Sequence, residues 1–142
     1  MSYKKVLGVL FSLSLVIGIA GLIFANPVSI GVCDYIDYSC RSAVLGIAFP
    51  VWVLSLSLAI ISLILIFLRK EIFHTWGIYF ASWFLPLSVL LIYLTPVSCG
   101  SSFGCFVDRE FTTMFMAGAF LTISILIIAI KSWKLRKMNG AE

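Results

Sequence analysis

Charge is what this chain has least of. Only 11% of its 142 residues are Asp, Glu, Lys or Arg, against about 25% in an average soluble protein. Four stretches, 6–25, 43–68, 76–94 and 111–130, hold no charged residue and no histidine. Ion and proton pathways leave ionisable side chains at membrane depth, so proton-coupled transport has no residue here to carry it. His74 is the one histidine. A Ser/His/Asp set, a histidine-based metal motif and a phosphate-cradling glycine loop are all missing, and with them the usual hydrolase and nucleotide-binding chemistries. Zinc sites normally include a cysteine pair two to four residues apart. The pairs Cys33/Cys40 and Cys99/Cys105 are spaced too widely for that.

What fills the chain instead is apolar. Hydrophobic residues make up 62% of it, and the mean hydropathy is +1.15. The run 43–68 sets the class. A helix rises about 1.5 Å per residue, so roughly 20 residues cross the ~30 Å hydrocarbon layer. Thirteen of the residues in 51–68 are Val, Leu, Ile or Phe, favouring insertion by roughly 4–8 kcal/mol. With the other three runs this predicts one all-α membrane domain covering 1–142. Its spans are 6–25, 43–68, 76–94 and 111–130, and its outer loops are 26–42 and 95–110. The run 6–25 exceeds the apolar core of a signal peptide, about 7–15 residues, and Ile23-Phe24-Ala25 is a poor cleavage site. It is therefore read as a retained span.

Four spans put both termini on one side. Lys4, Lys5, Arg69, Lys70, Lys131, Lys134, Arg136 and Lys137 share that side, and Arg41 and Arg109 share the other. The positive-inside rule then predicts cytoplasmic termini in a plasma (inner) membrane. The net charge of +4 is accounted for by this topology, so nucleic acid is not an expected partner. Lipid is, together with a second copy or another membrane protein.

The two outer loops start alike: Asn26-Pro27-Val28-Ser29 and Thr95-Pro96-Val97-Ser98, each followed by a cysteine pair and then an arginine. This fits either convergence or duplication. Duplication would make the antiparallel four-helix bundle a 2+2 parallel repeat of helical hairpins. Pro50 falls inside the second run and either starts the deep helix or kinks it. Pro86 in the third frees a carbonyl near Ser82. Asp108 is placed to cap the last helix. Residues 69–75 are expected to form a tight inner turn, with His74 at the interface.

Two groups of residues are candidates for function. Small residues spaced by four, Gly8/Ser12, Ser14/Gly18 and Gly21/Ala25, form a helix-packing face on the first span, and Gly118 and Thr122 mark another on the last. The cysteines Cys33, Cys40, Cys99 and Cys105 all fall in outer loops, where disulfides persist. Of the three pairings available, the local one, Cys33–Cys40 with Cys99–Cys105, is favoured. Each short loop closed this way would gain roughly 2–3 kcal/mol in the chain-entropy account.

Four spans with two outward cysteine pairs resemble the disulfide-bond formation protein B family. That resemblance implies a thiol–disulfide oxidoreductase that passes electrons from an outer dithiol to a membrane quinone. Arg41, directly after Cys40, would stabilise a thiolate. The family's reactive pair is Cys-x-x-Cys, whereas six and five residues intervene here. The residues taken alone favour a structural or accessory membrane protein acting through helix–helix contacts, without catalytic residues, metal or cofactor. The oxidoreductase is the alternative and a small transporter the second alternative.

Overall fold

The computed structural model describes residues 3–97 and 108–139, and among them every regular element is helical. Helix α1 runs Tyr3–Phe24, α2 Tyr38–Ile66, α3 Lys70–Trp76, α4 Ser82–Leu94 and α5 Arg109–Asn139, with a π-helical segment, Gly77–Ala81, joining α3 to α4. Helices α1, α2 and α5 are long and apolar enough to cross a membrane; α4 is a shorter apolar helix.

The all-helical class is as expected, but the elements differ from the expected runs: three helices are of spanning length, and the run 76–94 is divided among the end of α3, the π segment and α4. Helix α2 starts at Tyr38 rather than near residue 43, because Asp37 caps it: the Asp37 carboxylate accepts the Cys40 N–H at 3.0 Å. Pro50 lies inside this continuous helix and does not start it. The expected turn at 69–75 is almost absent. Chain reversal is completed by Phe67–Arg69, and helix resumes at Lys70, putting His74 on α3. At the π segment the Ser82 N–H reaches Gly77 O, and the Ser82 hydroxyl bonds Ile78 O at 2.5 Å.

Packing follows residue size. The buried face of α1 is Leu7, Ser14, Gly18 and Gly21, and it lies antiparallel on α2. A Cβ on Gly21 would stand 2.8 Å from Trp52 Cβ and 3.0 Å from Trp52 N, so the backbones touch there. Helix α2 packs in turn on α5, and α5 on α3 and α4. At one end of the assembly Leu7, Ile61, Leu65, Ile72, Trp76, Phe120, Ile128 and Leu135 close the core. The Trp76 indole N–H donates to Ser124 Oγ at 2.9 Å inside it. The rings of Phe80, Phe84 and Phe120 cluster with centroids 4.9–5.8 Å apart, Phe80 stacked on Phe120 and Phe84 tilted against both. Ser57 and Ser88 are buried and return their hydroxyls to the carbonyl four residues back, Val53 and Phe84, which keeps them compatible with an apolar surround.

Candidate functional site

The polar end of the assembly is organised by Pro50. A helical carbonyl normally accepts the N–H four residues on, and proline has none. The carbonyl left without this partner belongs to Gly46. Arg109, the first residue of α5, takes it: Nη1 donates to Gly46 O at 3.1 Å. Gly46 allows this approach, since a Cβ there would lie 2.9 Å from Val97 Cγ1 and 3.3 Å from Arg109 Nη1.

The same guanidinium closes a second set of orphans. The last carbonyls of a helix have no internal donor. Arg109 Nε and Nη2 donate to Thr95 O at 3.2 and 3.1 Å, and Nη2 also reaches Tyr93 O at 3.4 Å. The guanidinium carbon sits 5.2 Å from the Tyr93 ring centroid, within cation–π range. The Arg109 backbone N–H bonds Pro96 O at 3.0 Å. One side chain therefore ties the first third of α2, the end of α4 and the start of α5. Asp108 caps α5, as its position suggested: Oδ1 accepts the Phe111 N–H at 2.8 Å.

Beside this clamp lies a cavity of about 290 Å³, lined among others by Tyr38, Arg41, Ser42, Asp108, Arg109 and Glu110. Its apolar floor includes Leu45, Phe49 and Pro50. Arg41 also borders a neighbouring cavity of about 280 Å³ against Asn26 and Pro27. The Arg41 side chain makes no hydrogen bond or ion pair among the described residues. At the far end Lys70, Glu71, His74, Thr75 and Lys131 line a shallow depression.

Cys33 and Cys40 are bonded to one another, the local pairing, with Cα atoms 5.8 Å apart. Cys33 is buried and Cys40 half-buried. The bond fastens the loop after α1 to the first turn of α2. Cys99 and Cys105 lie outside the described residues. Asp37 is fully exposed, and its carboxyl is held below the ordinary carboxylate value, first by the Cys40 backbone N–H and then by the Ser39 hydroxyl.

The packing candidates divide. Ser14, Gly18 and Gly21 are used inside the protein, against α2. Gly8 and Gly118 are open: a Cβ on either would meet nothing within 4 Å. Ser12 and Thr122 are exposed, and the Thr122 hydroxyl bonds Gly118 O at 2.8 Å.

Sequence reasoning missed the role of Arg109, and with it the cavity. Half the signal was present, since Gly46 precedes Pro50 by four and so owns the stranded carbonyl. The donor, 63 residues away in sequence, had no local mark. Among the described residues no group of three His, Cys, Asp or Glu is arranged to hold a metal. Comparison with family models, with curated proteins and with solved structures finds no match to this chain.

Proposed function

We propose that this protein is an accessory component of the plasma (inner) membrane: a four-span antiparallel bundle with cytoplasmic termini, acting through helix contacts in the bilayer. The remaining span is residues 76–94, carried by the end of α3, the π segment and α4. Its nineteen residues reach roughly 28 Å at about 1.5 Å per residue, with Lys70, Glu71 and His74 before it on the basic side. The order of packing, α1 on α2, α2 on α5, α5 on α4, suits two hairpins related about the α2–α5 contact, the 2+2 repeat. The eight-to-two division of basic residues supports the orientation.

The observation that carries the accessory reading is the face of α5 around Gly118 and Thr122. Gly118 and Thr122 are exposed, a Cβ on Gly118 would meet nothing within 4 Å, and the Thr122 hydroxyl proton is already donated to Gly118 O. In lipid such faces admit another helix at close range. A photocrosslinking residue placed at Gly118 in native membranes tests it. A discrete protein adduct is expected at Gly118 and none at Val16, on the exposed side of α1. Lipid adducts alone at Gly118 would overturn the reading.

A second reading is favoured by the Cys33–Cys40 disulfide beside Arg41. In the manner of the disulfide-bond formation protein B family, this disulfide would accept two electrons from an outer dithiol, oxidising it to a disulfide, and pass them to a quinone, reduced to quinol. Quinone reduction driven by a dithiol and abolished by Cys40→Ser would establish it. A transporter would instead show substrate flux in liposomes that is indifferent to loss of the cysteines.

A further inference from the structure

The cavity beside the clamp carries two cationic side chains, Arg41 and Arg109, and two carboxylates, Asp108 and Glu110. Two of these four groups are occupied. Arg109 is bonded to the carbonyls of Gly46, Tyr93 and Thr95, and Asp108 caps α5 through the Phe111 N–H. Arg41 and Glu110 are left, one of each sign, with no side-chain bond or ion pair among the described residues. A simple anion placed here would meet two carboxylates, and a simple cation two guanidinium groups. A zwitterion with its charges a few ångströms apart satisfies both. The volume of about 290 Å³ is close to the lower end of ligand pockets, about 300 Å³, and suits a small headgroup.

We infer that this cavity binds a zwitterionic phosphoethanolamine group, the headgroup of an ethanolamine phospholipid of the outer leaflet. The phosphate lies toward Arg41, with the Tyr38 and Ser42 hydroxyls lining the same cavity. The primary ammonium lies toward Glu110 and the free oxygen of Asp108. Three ammonium protons can be donated to carboxylates, which a choline headgroup cannot do. Arg–phosphate pairing is charge-assisted and geometrically selective. Leu45, Phe49 and Pro50 give the same cavity an apolar side, next to which the first carbons of a lipid's chains can lie. This assignment rests on the four-span reading for its leaflet, not for its chemistry.

Native mass spectrometry of the full-length protein, offered equal amounts of phosphatidylethanolamine, phosphatidylcholine and phosphatidylglycerol with identical chains, tests it. Phosphatidylethanolamine adducts are expected to dominate. Arg41→Ala should lower them about tenfold, the effect of losing one charge-assisted bond, and Arg41→Lys should restore part of the loss, which a folding defect would not allow. Glu110→Gln should erase the preference for ethanolamine over glycerol headgroups while phosphatidylglycerol binding persists. Equal adducts for ethanolamine and choline lipids, or variants that leave the ethanolamine adduct unchanged, would sink the inference. Soluble glycerophosphoethanolamine stabilising the protein to heat as strongly as the lipid does would reject a lipid source. If labelling places Arg41 on the cytoplasmic side while the selectivity survives, the orientation fails and the headgroup site stands.

Discussion

Gly21 and Gly18 look alike in sequence and differ in what surrounds them. At Gly21 an added methyl would collide with the backbone of Trp52, whereas at Gly18 it would meet Leu56 side-chain atoms at 3.4 Å, an ordinary contact. Overpacking against backbone costs about 1–3 kcal/mol. Gly21→Ala should therefore lower the unfolding midpoint in detergent clearly, while Gly18→Ala and Gly118→Ala stay near wild type; comparable losses at all three would refute the close approach at Trp52. Asp37 gives a second residue-scale expectation. Its carboxyl is depressed in the folded protein by the Cys40 N–H, then by Ser39. A depressed carboxylate supports the fold above its unfolded value, about 3.9, and that support is lost as pH falls through the lower folded value. The protection of the Cys40 amide, its exchange relative to the unfolded chain at the same pH, should fall on acidification below that range. Asp37→Asn keeps a cap and should remove the pH dependence. A pH profile identical in the two proteins would show that Asp37 is not its source.

At the scale of helices, the clamp makes Pro50 and Arg109 energetically dependent on each other. Arg109→Gln removes the donor to Gly46 O and leaves that carbonyl without a partner. In a Pro50→Ala background the residue at position 50 brings its own N–H to Gly46 O, so the same Arg109→Gln change should cost less, by about 1 kcal/mol. A double-mutant cycle on thermal or denaturant unfolding measures this, and additive effects would show that Arg109 acts only through Tyr93 and Thr95. The element scale also explains where reading the chain fell short. Asp108 as a cap was legible because its partner, Phe111, is three residues away. The start of α2 was placed five residues late because hydropathy fades in Tyr38–Ser42, whereas the helix is begun by the Asp37 side chain and held by the Cys33–Cys40 bond.

For the whole molecule, the topology is the expectation with the widest consequence. A membrane-impermeant thiol reagent applied to intact cells after mild reduction should label Cys33 and Cys40. A cysteine introduced at Ser132, near the basic tail, should stay unlabelled until the cells are opened. The reverse pattern would invert the bundle and move the two-arginine cavity to the cytoplasmic side. Packing at this scale is uneven. The end holding Trp76 and Phe120 is filled by large side chains, while the end holding Arg109 is filled by hydrogen bonds and leaves a cavity.

By itself the sequence determined that the chain is helical and built from long charge-free apolar runs separated by short charged segments, because length and hydropathy act locally and each run carries its own signal. It also favoured the local Cys33–Cys40 pairing, which the structure contains, and the cap at Asp108, whose partner is near in the chain. Only the tertiary structure decided which small residues are used internally, that Arg109 supplies the hydrogen bond Pro50 removes, and that Arg41 and Glu110 share one cavity. Those depend on groups brought together from distant parts of the chain, and the pairing of a donor with an acceptor 63 residues away leaves no trace in the pattern of either neighbourhood.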